Sequence, residues 1–111
     1  MTLYRRAWTM RLIEGAEAAY EDAHAKIWPE MSEQMQTSGI VRFFLYRSGT
    51  TIFAFQERNR PFNSTTAPTS DITLSWWREM APFMETCGDN YQPVHTELHE
   101  IFALETNLEN H

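Results

Sequence analysis

The period of the apolar positions changes several times along the chain, and each change marks an element boundary. Residues 4–12 alternate, with Tyr4, Trp8, Met10 and Leu12 on one side and Arg5, Ala7, Thr9 and Arg11 on the other, which predicts a strand. After Gly15 the period lengthens to that of a helix over about 16–38, ended by Gly39 where helices favour a left-handed cap. Pro29 falls inside this segment. It removes one helical donor and disfavours helix at Trp28, so the pattern predicts a kink or two helices. Two strands follow, 40–47 and 51–57, joined as a hairpin at Ser48-Gly49-Thr50. Residues 58–70, with two prolines and many Ser, Thr and Asn, read as a surface loop. Ser70 or Asp71 then caps a second helix, expected to run to about Thr86 with Trp76, Trp77, Met80, Phe83 and Met84, although Pro82 opposes its later turns. Residues 87–93 form a turn-rich loop, and 94–104 a last strand with Leu98, Phe102 and Leu104 on one face. The expected domain is 1–104, followed by a frayed polar tail over 105–111.

This order, β-α-β-β-α-β, is that of a ferredoxin-like or split βαβ α+β fold, an antiparallel sheet with two helices on one face. The hairpin strands are apolar on both faces. Phe43 and Leu45 oppose Phe44 and Tyr46, and Phe53 and Phe55 oppose Ile52 and Ala54. Two helices cover only one face of such a sheet, so the second apolar face needs another cover. A second copy of the chain packed sheet on sheet supplies it, and a homodimer is expected.

Chemistry concentrates in the first helix. At 100° per residue Tyr20 and His24 lie about 40° apart, on the stripe that also carries Ile27 and Met31. Asp22, Lys26 and Glu33 occupy the opposite side, so the stripe faces inward. A phenol and an imidazole on an apolar face each need a hydrogen-bond partner. A ligand in a pocket supplies them in one reading; a satisfied polar network in the core supplies them in the other.

Composition narrows the class. The 111 residues suffice for one core, and a hydrophobic fraction of 42% marks a globular chain rather than a disordered one. A net charge of −6 argues against nucleic acid and against an anionic membrane surface as partners. No apolar run approaches the roughly 20 residues that span a bilayer, and the N-terminus carries no signal-peptide pattern. A single Cys87 forms no internal disulfide, which fits a reducing, cytoplasmic setting.

The sequence contains no glycine-rich phosphate loop, no Gly-x-Ser-x-Gly elbow and no paired cysteines for zinc or iron–sulfur. His95 and His99 have a spacing that chelates metal from a helix. In the predicted strand they stand roughly 13 Å apart, too far for one ion, and read as solvated positions. No metal is therefore expected. Trp76 and Trp77 diverge by 100° on a helix, so at least one faces away from the deep core, as packing or as an aromatic platform for a sugar or another ring.

Taken together, these motifs resemble the L-rhamnose mutarotase family. The resemblance runs from Arg6-Ala7-Trp8-Thr9-Met10 to Glu97-Leu98-His99-Glu100-Ile101-Phe102. Its sharpest parts are Tyr20-x3-His24-x2-Ile27-Trp28-Pro29-Glu30, Trp76-Trp77-x2-Met80, and Asp89-Asn90 followed by Pro93-Val94. It implies a dimeric α/β barrel of ferredoxin-like subunits that interconverts L-rhamnose anomers without a cofactor. It further implies His24 as the acid/base residue, and Tyr20, Trp76 and Trp77 as sugar-binding residues. The family's second substrate tyrosine aligns with Phe43, its basic residue before the histidine with Ala23, and its Asn-Pro-Asp-Asn-Ser-Pro loop with the longer 87–93 segment. The departure at Phe43 bears on which sugar fits, because it removes a hydroxyl from the substrate wall.

Mutarotation requires the ring oxygen to gain a proton while the anomeric hydroxyl loses one, which positioned acid/base groups accomplish. His24 is the expected exchanger, with Asp89 or water as candidates for the second group. Two other readings fit the same residues: a cofactor-free monooxygenase acting on an aromatic substrate, and a non-catalytic sugar-binding protein.

Overall fold

The computed structural model describes residues 3–61, 70–88 and 91–106. Strand β1 (Tyr4–Arg11) leads into helix α1 (Glu17–Ala25) and helix α2 (Pro29–Thr37). The hairpin of β2 (Ile40–Ser48) and β3 (Thr51–Arg58) follows. Helix α3 (Asp71–Met80), a single 3₁₀ turn (Ala81–Phe83), and strands β4 (Thr86–Cys87), β5 (Gln92–Pro93) and β6 (His95–Leu98) complete the described order.

Proline sets the helical break. Trp28 is extended, with φ −61° and ψ 134°, and Pro29 stands at the start of α2, where a missing N–H costs nothing. The two-helix alternative is thus the one adopted. Ser70 caps α3 by accepting the Thr73 N–H at 3.3 Å. The helix ends at Met80 rather than near Thr86. Pro82 lies in the 3₁₀ turn that follows, and Met84 has left the helix to bridge Leu12.

All pairings in the main sheet are antiparallel and its strand order is β2-β3-β1-β6. The face toward the helices carries Trp8, Leu12, Ile52 and Ala54, which are buried. Leu12 and Ile52 form the core with Tyr20, Met31, Trp76, Met80 and Met84. The opposite face holds Phe44, Tyr46 and Phe53, all exposed. Strand β2 therefore splits its aromatic residues between the two faces, while Phe53 and Phe55 of β3 share the outer one, as the alternation predicts.

The last strand is shorter than expected. Its ladder with β1 ends at Leu98, opposite Ala7, and residues 99–106 have no regular structure. Ion pairs from Arg5 to Glu100 at 2.6 Å and to Glu105 at 2.9 Å hold this segment along β1 instead. Phe102 and Leu104 consequently form no strand face with Leu98, and remain 79% and 77% exposed. The loop expected over 87–93 contains the small β4–β5 ladder, and its Asp89 and Asn90 lie outside the described residues. Most of the loop expected over 58–70 also lies outside them.

Candidate active site

Between sheet and helices, beside the core, lies a cleft of about 920 Å³. That volume lies within the range of small-molecule sites. Tyr20 and His24 come from α1, Trp76 and Trp77 from α3, and Phe43 from β2, and all five line it. Trp76 is buried in the core, while Trp77 is half-buried on the cleft wall, so the diverging pair serves both packing and lining.

The helical spacing that brings Tyr20 over His24 also stacks their rings, with centroids 4.3 Å apart and planes inclined by 40°. The imidazole edge then meets Trp76 at 5.3 Å, and Trp76 meets Trp28 at 4.9 Å, both nearly perpendicular. His24 Nδ1–H donates to the Tyr20 carbonyl at 3.0 Å. This fixes the neutral tautomer with the lone pair on Nε2. Burial holds the His24 pKa below its ordinary 6.5, against a smaller opposing effect of that hydrogen bond. At neutral pH the ring is therefore a base. The Tyr20 phenol is buried, which pushes its pKa up to about 12 and keeps it a hydrogen-bond donor.

The sheet floor of the cleft is polar, which the sequence pattern did not suggest. Cross-strand register places Phe43, Gln56 and Arg6 in one row, and Leu45, Ala54, Trp8 and Glu97 in the next. His95 faces the same way beside Met10. Arg6 pairs with Glu97 and stands 4.3 Å over the Trp8 ring, whose edge meets Phe43 at 5.7 Å. Burial, and then the nearby Arg58 charge, lower the Arg6 pKa from its ordinary value. The His95 imidazole lies 3.8 Å from the Glu97 carboxylate. His95 is thus exposed as expected, but it opens onto the cleft rather than onto bulk solvent alone. Among the described residues no three potential metal ligands converge.

A family model described as L-rhamnose mutarotase matches residues 5–104. The chain belongs to the L-rhamnose mutarotase family. An L-rhamnose mutarotase of Bacteroides thetaiotaomicron is 36% identical over 103 residues, covering 91% of this chain and 98% of its own. One of Formosa agariphila is 32% identical over 103 residues with the same two coverages. A crystal structure of an L-rhamnose mutarotase from Formosa agariphila aligns at a TM-score of 0.78 and 29% identity, covering 92% of this chain and 99% of that one.

Within this mutarotase-family chain, the residues that sequence reasoning missed are Arg6, Gln56, Glu97 and the cleft-facing side of His95. All four lie on strands, where a polar residue pointing inward has the same alternation as one pointing out. Only the register reveals their direction. A weak signal existed in β1, where Arg6 falls on the parity of Trp8 and Met10.

Proposed function

We propose that the protein is an isomerase that interconverts the α and β anomers of L-rhamnose or a closely related deoxysugar, with His24 moving the proton. The observation that carries this mechanism is the fixed tautomer of His24, which leaves a basic Nε2 in a half-buried ring beside an aromatic-walled cleft. Nε2 takes the anomeric hydroxyl proton as the ring oxygen gains one. The C1–O5 bond breaks, C1=O1 forms, and rotation about C1–C2 presents the other carbonyl face before the steps reverse. Tyr20 donates to a sugar hydroxyl, and Trp76 and Trp77 pack the C–H face and the C6 methyl. Phe43 adds apolar wall. The second proton goes through Asp89 or water; no cofactor or metal is invoked.

Family membership favours this reading over oxygenase chemistry and over sugar binding without turnover. We further read the chain as one ferredoxin-like domain over 1–104, with 105–111 as a tail. The observed order β2-β3-β1-β6 is what a split βαβ arrangement produces. A homodimer, a dimeric α/β barrel, is supported by the exposed aromatic face of the sheet. A cytoplasmic setting is supported by the lone cysteine. Among the described residues no helix is long and apolar enough to cross a membrane.

The test is anomer exchange by NMR with L-rhamnose, L-fucose, L-lyxose and L-mannose. Exchange above the buffer rate, fastest for L-rhamnose or a near epimer, is expected. Binding without exchange would replace catalysis with the binder, and oxygen uptake with an aromatic substrate would replace it with the oxygenase.

A further inference from the structure

Strand β3 presents its Ile52, Ala54 and Gln56 side chains to the helix layer. The first two are small or apolar, as a core position demands. Gln56 is neither. It is only 8% exposed, and it lines the cleft. A primary amide has two donors and an acceptor, and leaving them unmet in the interior is costly. Among the described residues no hydrogen bond to this side chain is found, and its amide atoms are not among the polar atoms sealed from solvent, so they face the open cleft.

Its neighbours define what can satisfy it. On one side stands Phe43, a ring with no donor or acceptor, and on the other Arg6. The Arg6 guanidinium is paired with Glu97, and Arg58, two residues along β3, lines the same wall and donates to the Ser38 carbonyl at 2.6 Å. A neutral hydroxyl group can meet the amide without disturbing the Arg6–Glu97 pair. A hydroxyl also matches the amide, because each donates and accepts at once.

We propose that Gln56 is a sugar-binding and specificity-determining residue, its amide exchanging hydrogen bonds with a sugar hydroxyl. This rests on the mutarotase reading and names the group that reads the sugar at the floor of that site. Gln56 binds substrate and does not move the reacting protons. Its removal therefore weakens the Michaelis complex and spares the chemical step.

The test is Gln56→Leu, of similar volume and without the amide. Exchange of L-rhamnose anomers is followed by NMR against concentration, alongside tryptophan-fluorescence titration with the sugar and thermal melting. The expected result is a KM and a Kd raised about tenfold, kcat within about twofold, and a melting temperature equal to or above that of the parent. The preference for L-rhamnose over at least one of L-lyxose, L-mannose and L-fucose should shrink. Unchanged KM and Kd overturn the proposal. So does a lowered melting temperature with an unaltered sugar preference, which is the signature of a structural amide. Should the parent bind L-rhamnose without exchanging it, the mutarotase reading fails alone, and the Kd comparison still decides Gln56. A parent that neither binds nor exchanges it overturns both.

Discussion

His24 combines two constraints that its neighbours impose separately. The Tyr20 carbonyl holds Nδ1–H at 3.0 Å and so assigns the tautomer, while burial lowers the pKa and keeps the ring neutral at neutral pH. His24→Ala should remove most catalysed exchange, on the order of 10²-fold or more, in a chain that still folds. Near-parental exchange in a folded variant would end the assignment. In the parent, exchange should hold as pH falls through 6.5 and decline only below it, because the folded pKa lies under that value. The sign for stability is the same. The unfolded chain takes up the proton at higher pH than the folded one, so this contribution is complete above about 6.5 and shrinks on acidification through the window below it. A pH–rate profile with its acid limb above 6.5 would contradict the desolvated, basic ring. The Tyr20–His24 stripe was legible because helix spacing is unambiguous over one turn. Gln56, Arg6 and Glu97 were not, since a strand residue's direction depends on pairing partners that lie far away in sequence.

Proline and glycine carried the local plan of the elements. Pro29 divided the first helical segment, and Gly39 ends it with φ +101°, a conformation that side chains with a Cβ rarely adopt. Space is closed there as well. A Cβ on residue 39 would stand 2.7 Å from Asn59 Oδ1, and the Gly39 carbonyl accepts the Asn59 N–H at 2.9 Å. Gly39→Ala should cost about 1–3 kcal/mol and lower the melting temperature by about 5 °C or more. A melting temperature equal to the parent's would mean that the junction of α2 and β2 relaxes freely. Element ends were the less legible part. The apolar pattern continues past Met80 through Phe83 and Met84, yet Pro82 turns the chain so that Met84 reaches the core from a bridge to Leu12. The alternation after Leu98 reads as strand, but in these residues it meets ion pairs from Arg5 in place of a ladder. Periodicity states what a segment could bury; pairing decides whether it does.

At the scale of the whole molecule, the sheet separates two surfaces of different character. One faces the helices and holds the cleft; the other presents Phe44, Tyr46 and Phe53 to solvent, with Phe44 and Phe55 stacked at 6.2 Å. Cross-strand pairing sets Tyr46 against Phe53 and Phe44 against Phe55, so the aromatic residues form one patch rather than scattered positions. This was legible in advance, because both hairpin strands are apolar at odd and even positions alike. Monomeric proteins seldom leave such a patch uncovered, and the exposed Ile101, Phe102 and Leu104 add apolar surface near the chain's end. A second copy packed over this face would bury the aromatic patch, and sheet-on-sheet packing is the geometry that antiparallel faces adopt. The parent should sediment as a two-chain species at micromolar concentration. Phe53→Lys would place a charge where burial is expected and leave the helix-facing core untouched. It should shift the species to one chain with little change in helix and strand content by circular dichroism. A parent that sediments as one chain at tens of micromolar would refute the dimer and leave the aromatic face as free surface.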